Sequence, residues 1–302
     1  MSKFASLWID QADAKSVLGQ RVRENADLKP LEKNLVEFID NGFTIIESAV
    51  SEGLIDQYLA DFERLLESKN SGLLASVPVH GPEDKAMVAA HDADRQSPLT
   101  KYLDTFCFSE YAKQLSLNYN AVNFLKAIFE ELPLCFQSLH FERGSTQAIH
   151  QDTAYVVVDQ PLNLAASWIA LEDVQEGSGE LAYYPGSHRF ADHLYSSEYK
   201  HFNHERDPHQ EHLEHLESLH TKAAALGLQL RKFNPKKGDM LIWHADLAHG
   251  GLPIENPALT RRSYVSHYCG LSRVPNYVRY LPEEKRLRIN YSPRGQFSTM
   301  YY

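Results

Sequence analysis

The residues best suited to chemistry are His150-Gln151-Asp152, with His249 far along the chain and Arg261 shortly after it. On extended backbone, side chains two positions apart share a face, so His150 and Asp152 can reach one ion. A histidine arriving from a distant strand completes a set of two imidazoles and one carboxylate. That set leaves open positions on an octahedral ion and suits an iron(II) oxygenase. The open positions accept a bidentate 2-oxoacid and dioxygen, and Arg261 has the planar fork that grips a carboxylate. The spacing is weak evidence when taken bare. With 15 histidines in the chain, about one His-x-Asp arises from composition by itself. A second, His244-Ala245-Asp246, precedes His249 and offers a rival cluster. Its bland reading is a turn with polar contacts, because no separate strand completes its geometry.

The elements that must position these residues are legible in the pattern. Residues 1–40 read as polar helix, with Leu31, Leu35, Val36 and Phe38 as a partial apolar stripe. Asn41-Gly42 breaks it, and residues 43–46 read as a short β-branched strand. Ser51 opens a second helix, with Leu54, Ile55, Tyr58, Leu59, Phe62 and Leu65 at helical spacing. Residues 70–100 read as a long loop, and 101–132 as helix again. After Pro133 the pattern changes to short strands, at 134–141, 155–158, 165–171, 181–184, 228–233, 240–243 and 263–268. Gly177, Gly179, Pro185-Gly186, Pro235, Gly238 and Asn256-Pro257 punctuate them. Such spacing predicts a sandwich or barrel. Residues 188–227, charged and rich in histidine, read as a helical insertion between two strands.

Composition narrows the classes of function. The chain has 302 residues, 43% of them hydrophobic, which fits one domain with a substantial core. A net charge of −10 without a basic run argues against a nucleic-acid partner. Cys107, Cys135 and Cys269 are odd in number and widely spaced, which fits a reducing compartment rather than a disulfide framework. The first residues carry Asp10, Asp13 and Lys15 and no apolar run, and no stretch is long and apolar enough to span a membrane. The expectation is a cytoplasmic protein with a small-molecule substrate and no membrane or nucleic-acid partner, its oligomeric state left open. His201, His204, His209, His212, His215 and His220, interleaved with glutamates, read as a solvated helical face, with a pH-sensitive lid as the minor alternative. Trp243 reads as core, Trp168 as core or pocket, and Tyr155 and His140 as pocket candidates with structural alternatives.

The blocks around these positions carry more than the spacing. They run His150-Gln151-Asp152-Thr153-Ala154-Tyr155, Ser167-Trp168-Ile169-Ala170-Leu171-Glu172-Asp173, and Gly177-Ser178-Gly179-Glu180-Leu181. Tyr184-Pro185-Gly186-Ser187-His188, Gly238-Asp239-Met240-Leu241-Ile242-Trp243-His244, His249-Gly250-Gly251 and Arg261-Arg262-Ser263 follow. With Asn41 to Ile46 ahead of them, the set resembles the phytanoyl-CoA dioxygenase (PhyH-like) family of iron(II)/2-oxoglutarate-dependent oxygenases, over roughly residues 33–268. The resemblance implies a mainly β fold with added helices. It is a double-stranded β-helix (jelly roll, cupin-like), flanked by N-terminal helices and a helical insertion near 188–227. It implies one domain over 1–302, with a helical part at 1–132, a jelly-roll core at about 133–270 and a tail at 271–302. Residues 70–100, the insertion and the tail are the expected lids.

The resemblance also implies iron(II) on His150, Asp152 and His249. It places Arg261 on the far carboxylate of 2-oxoglutarate, with Trp168 and Leu139 as neighbours of that co-substrate. Leu139 departs from the family, where Met is frequent, and a packing role survives the change. Neighbouring strand residues face opposite ways, so only one of Arg261 and Arg262 enters the pocket, and the family's pattern favours Arg261. Halogenating relatives replace the carboxylate, so Asp152 points to hydroxylation of an unactivated C–H bond. Dioxygen is consumed, succinate and CO2 are released, and ascorbate is a candidate reductant. Desaturation, epimerisation or ring formation stay open beside hydroxylation. From other classes, a cupin-like metalloenzyme that does not use 2-oxoglutarate and a non-catalytic jelly-roll binding module also stay open. An Arg261 turned away from the metal favours the first, and a pocket plugged by its own side chains favours the second. The prime substrate is not named by any motif.

Overall fold

A computed structural model describes residues 3–79, 85–275 and 288–299. Helices α1 (Ala14–Glu24) and α2 (Glu32–Asn41) lead the chain in. Helix α2 stops because Gly42 turns left-handed at φ 78° and accepts no further helical turn. Strand β1 (Phe43–Ile46) follows, as the β-branched run predicts. Ser51 then caps α3 (Glu52–Glu67), its Oγ accepting from the Leu54 N–H. Helix α3 buries Ile55, Tyr58, Phe62 and Leu66.

Residues 70–100 depart from the loop reading. They contain β2 (Leu74–Pro78) and β3 (Lys85–Ala89), an antiparallel hairpin, with residues 80–84 outside the described residues. Both strands are short, small in side chain and only partly buried, so local pattern carries little signal and sheet pairing decides. The helical reading of 101–132 likewise yields at its start to β4 (Lys101–Leu103), which β2 and β5 (Pro133–Phe141) hold from either side. Helices α4 (Glu110–Ser116) and α5 (Tyr119–Phe129) fill the rest.

The core strands are β6 (Ala165–Ala170), β7 (Leu181–Tyr183), β8 (Arg231–Phe233), β9 (Met240–His244), β10 (His249–Gly251) and β11 (Ser263–Gly270). The strand pattern departs from expectation at two places. The strand expected at 155–158 is absent, because the N–H groups of Tyr155 and Val156 fold back onto the Asp152 carbonyl in a 3-10 turn. Strand β10 was not foreseen, since Gly250-Gly251 lowers strand propensity. In the insertion, only α6 (His209–Ala225) is α-helical.

The large sheet runs β1-β9-β6-β11-β5-β4-β2-β3, and the small one β10-β7-β8. The tail adds β12 (Ile289–Tyr291) and β13 (Gly295–Phe297), the latter pairing with β5. Residues 288–299 thus extend the large sheet instead of forming a lid, and 276–287 lie outside the described residues. Two-residue alternation divides the apolar side chains between two cores. Leu241, Trp243, Trp168, Val265 and Phe141 pack between the sheets with Phe43, Leu181, Tyr183 and Phe233. Met240, Ile242, Tyr264 and Tyr268 pack outward beneath helices α1–α5. The strands are therefore buried on both faces, the sandwich of a jelly roll covered on one side by helices. Among the described residues Cys107, Cys135 and Cys269 form no disulfide. Among the described residues no helix is long and apolar enough to cross a membrane.

The entry to β9 has little tolerance. Gly238 adopts φ 93°, and a Cβ there would collide with the Val50 carbonyl oxygen. The strain of a left-handed non-glycine residue adds to that clash, so Gly238→Ala is expected to cost about 2–4 kcal/mol. Urea denaturation measures this; a loss below about 0.5 kcal/mol would show that the turn relaxes freely.

Candidate metal centre

His150 and His249 meet as backbone partners. The His150 N–H donates to the His249 carbonyl at 2.8 Å, and the His249 N–H donates back at 2.9 Å. Such a pair projects both side chains to one side, and the two imidazole centroids are 4.5 Å apart. Gly250 and Gly251 permit the approach, since a Cβ on Gly250 would stand 2.7 Å from the Gln147 carbonyl oxygen. Gln151 is extended (φ −108°, ψ 135°), so Asp152 returns to the face of His150 as the two-residue rule requires. The three residues are buried, and one donor atom from each lies within 4.8 Å of the others.

Ring orientation follows from the hydrogen bonds. His150 Nδ1 meets only a carbonyl, Ala148 O at 2.8 Å, and His249 Nδ1 meets Leu247 O at 2.9 Å. Nδ1 must carry the proton in both, which leaves both Nε2 lone pairs facing inward. Asp152 Oδ1 lies 3.6 and 3.7 Å from these two atoms. Burial pushes the His249 imidazole down to about 4. Burial pushes the Asp152 carboxyl up, but His249, His150 and His267 outweigh it and hold it well below the usual carboxylate range. At neutral pH His249 is neutral and Asp152 is charged, the forms that a divalent cation needs. The donor set fits iron(II).

The interior beyond these donors contains the other expected residues. Leu139, Val265 and Trp168 stand side by side on β5, β11 and β6. The Arg261 guanidinium is buried, 5.7 Å from the Trp168 ring centre. One of its nitrogens donates to the Gly179 carbonyl at 2.9 Å, while its Nε has no partner. Burial lowers Arg261 to about 10, against the pull of Glu180, so it is still a cation at neutral pH. Arg262 faces the other way, toward Glu142 and Glu172. Arg261 and Arg262 thus face opposite ways, Arg261 toward Trp168.

Other expectations resolve as follows. The rival pair is taken up elsewhere: His244 Nε2 faces Asp10 at 3.2 Å, and Asp246 accepts from Lys200 at 2.5 Å and Thr153 at 2.6 Å. His140 lies on the outer face of β5, stacked on Phe62 and bonded to Tyr58 and Glu142, so it is structural. Tyr155 stays near the centre, its ring 5.3 Å from His150. The His-rich face is not uniformly solvated. His212 is buried between the Tyr155 and Tyr195 hydroxyls at 2.8 and 2.7 Å, and the buried His215 stacks on His193. His204, His209 and His220 are exposed. Two surface clefts share Ala148, Ile149 and His220, and neither is lined by His150, Asp152 or His249.

Three residues near the centre escaped the sequence. Lys101 donates to Gln147 Oε1 at 3.0 Å, and the Gln147 amide nitrogen stands 3.3 Å from His150 Nε2. Burial, with a smaller push from Lys85, lowers Lys101 to about 8. His267 Nε2 lies 3.6 Å from Asp152 Oδ2. Lys101 stood in a stretch read as helix, so no local signal marked it. His267 shares its parity on β11 with Val265, and that alternation was the available clue.

Comparison with known proteins agrees with the architecture. No curated protein matches the chain. The carbocyclase SnoK from nogalamycin biosynthesis, described as non-haem and alpha-ketoglutarate-dependent, superposes with a TM-score of 0.60 at 16% identity, over 83% of this chain and 90% of its own. The epimerase SnoN, solved with Fe3+ and alpha-ketoglutarate, gives 0.58 at 16% identity, over 81% and 85%. EctD from S. alaskensis, solved with 2-oxoglutarate and 5-hydroxyectoine, gives 0.54 at 16% identity, over 78% and 75%. At these identities the likeness establishes the fold. The phytanoyl-CoA dioxygenase (PhyH) model matches residues 38–263, most of the chain, and the chain belongs to that family.

Proposed function

We propose that this protein is an iron(II)- and 2-oxoglutarate-dependent dioxygenase that hydroxylates a small molecule. The observation that carries the reading is the pairing of a two-histidine, one-carboxylate cluster with a buried, incompletely bonded Arg261 in the same sandwich interior. Bound there, iron(II) with 2-oxoglutarate supplies dioxygen activation coupled to release of succinate and CO2. The chain's own residues do the rest. His150 and His249 offer Nε2 and Asp152 offers Oδ1. The Gln147 amide stands on the His150 lone pair and must move aside when a cation is held. Arg261 presents its unbonded edge to the distal carboxylate, with Trp168 and Leu139 as apolar walls that exclude water. Lys101 places a second cation beside the donors. The inward Arg261 speaks against a cupin-like enzyme that does not use an oxoacid.

Two outcomes test the reading. His150→Ala or Asp152→Ala is expected to abolish metal-dependent succinate formation, with the melting temperature little changed. Arg261→Ala is expected to raise the 2-oxoglutarate requirement roughly 10- to 100-fold, the worth of a lost charged hydrogen-bond pair. If equilibrium dialysis found that the parent binds 2-oxoglutarate no better with a divalent metal than without, the reading would be wrong.

Lys101 supplies a pH signature. An unfolded lysine titrates near 10.5, and the folded one near 8. Below pH 8 both states carry the proton, so the folded chain bears the full cost of a poorly solvated ammonium. The cost fades as pH climbs from about 8 toward the ordinary value, because the folded chain sheds its proton first. Lys101→Met is therefore expected to melt above the parent at pH 7, with the gap narrowing by pH 10. Equal melting at pH 7, or a gap that widens with pH, would contradict this.

A further inference from the structure

Trp243 was expected to be simple core, and its surroundings show more than packing. Its indole Nε1–H donates to Asp152 Oδ2 at 2.7 Å. Its ring centre is 4.9 Å from that of His249. One buried side chain therefore touches two of the three metal-binding residues. The two carboxylate oxygens of Asp152 are divided between tasks. Oδ1 faces the His150 and His249 Nε2 atoms, and Oδ2 faces Trp243, with His267 beyond hydrogen-bond length at 3.6 Å.

Packing alone does not call for an indole here. Leu241, two residues earlier on the same face of β9, fills the same interior without a polar atom. A buried indole N–H needs a partner, and phenylalanine would fill space without that demand. The partner present is a charged carboxylate, which makes the bond a strong one.

Resting on the metal reading above, we propose that Trp243 is the positioning residue of the centre. Its N–H pins the outer oxygen of Asp152, so that the carboxylate offers a single oxygen to the cation and stays turned toward both imidazoles. Loss of such a supporting hydrogen bond typically weakens metal binding roughly 10- to 100-fold.

The test titrates cobalt(II) alone into the metal-free full-length protein by calorimetry and compares three variants. Trp243→Phe removes the N–H and some volume. Phe43→Leu loosens the residue opposite Trp243 in the β1–β9 register and keeps the N–H. Site-specific replacement of Trp243 by 3-benzothienylalanine keeps the shape and removes only the N–H, which guards against a folding defect. Melting of the metal-free forms is recorded in parallel. The expected result is a roughly 10- to 100-fold weaker cobalt affinity for Trp243→Phe and the benzothienyl form, with Phe43→Leu close to the parent whatever its melting point. The proposal is overturned if the benzothienyl form binds cobalt within twofold of the parent, or if Phe43→Leu weakens binding as much as Trp243→Phe. A parent that binds no cobalt, or binds it equally well without His150 and Asp152, overturns the metal reading and this proposal together. Normal parent binding with an indifferent benzothienyl form overturns this proposal alone.

Discussion

The centre depends on one antiparallel backbone pair. His150 and His249 exchange both of their hydrogen bonds, and that exchange alone brings two imidazoles from distant parts of the chain onto one side. A side-chain cluster assembled from loops would depend on many weak contacts. Here the register of two short segments decides, and a slip of one residue would send one imidazole to the opposite face. The glycines after His249 belong to the same constraint, because the strand must lie close against residues 146–148. Asp152 then needs only one extended residue, Gln151, to join them.

Much of this was legible and some was not, for physical reasons. That His150 and Asp152 share a face was legible because two-residue periodicity is a property of extended chain, independent of distant partners. The strands β6, β7, β9 and β11 were legible because their apolar runs are buried on both faces. The hairpin of β2 and β3 was not, since its partly exposed strands exist only through their neighbours, and β4 is only three residues long. Residues 155–158 misled for the opposite reason. Val156, Val157 and Val158 favour a strand locally, but the Asp152 carbonyl captures the following N–H groups and turns the chain. Trp243 was read as filler because nothing in a sequence says where an indole N–H points.

Two lysines, Lys200 buried and Lys101 partly so, show how a partner's charge decides a cation's state. Burial pushes both ammonium groups down. Lys200 ends above its ordinary value, because Asp246 and Asp192 lie at 2.5 and 2.6 Å. Lys101 ends near 8, because Gln147 is a neutral partner and Asp152 is a distant one. Arg261 belongs with Lys101: it is buried, lowered, and bonded to one neutral carbonyl. Buried cations without a charged partner cost stability.

The segment after Asp152 is anchored from outside the sandwich. Thr153 donates to Asp246, which Lys200 of the insertion also holds. The Ala154 carbonyl accepts from the Phe202 N–H, and the Tyr155 hydroxyl meets His212 on α6. Three consecutive residues are thus tied to the insertion or to the turn it braces. This accounts for a buried histidine in a tract that composition alone would assign to solvent. It also explains why the turn at Asp152 can dispense with strand pairing. The insertion supplies the hydrogen bonds that a neighbouring strand would otherwise provide. The residues after Asp152 are thus held by the insertion, and its outer oxygen by β9. A ligand residue at the start of a 3-10 turn acquires by these contacts a fixed orientation that its own secondary structure does not give it.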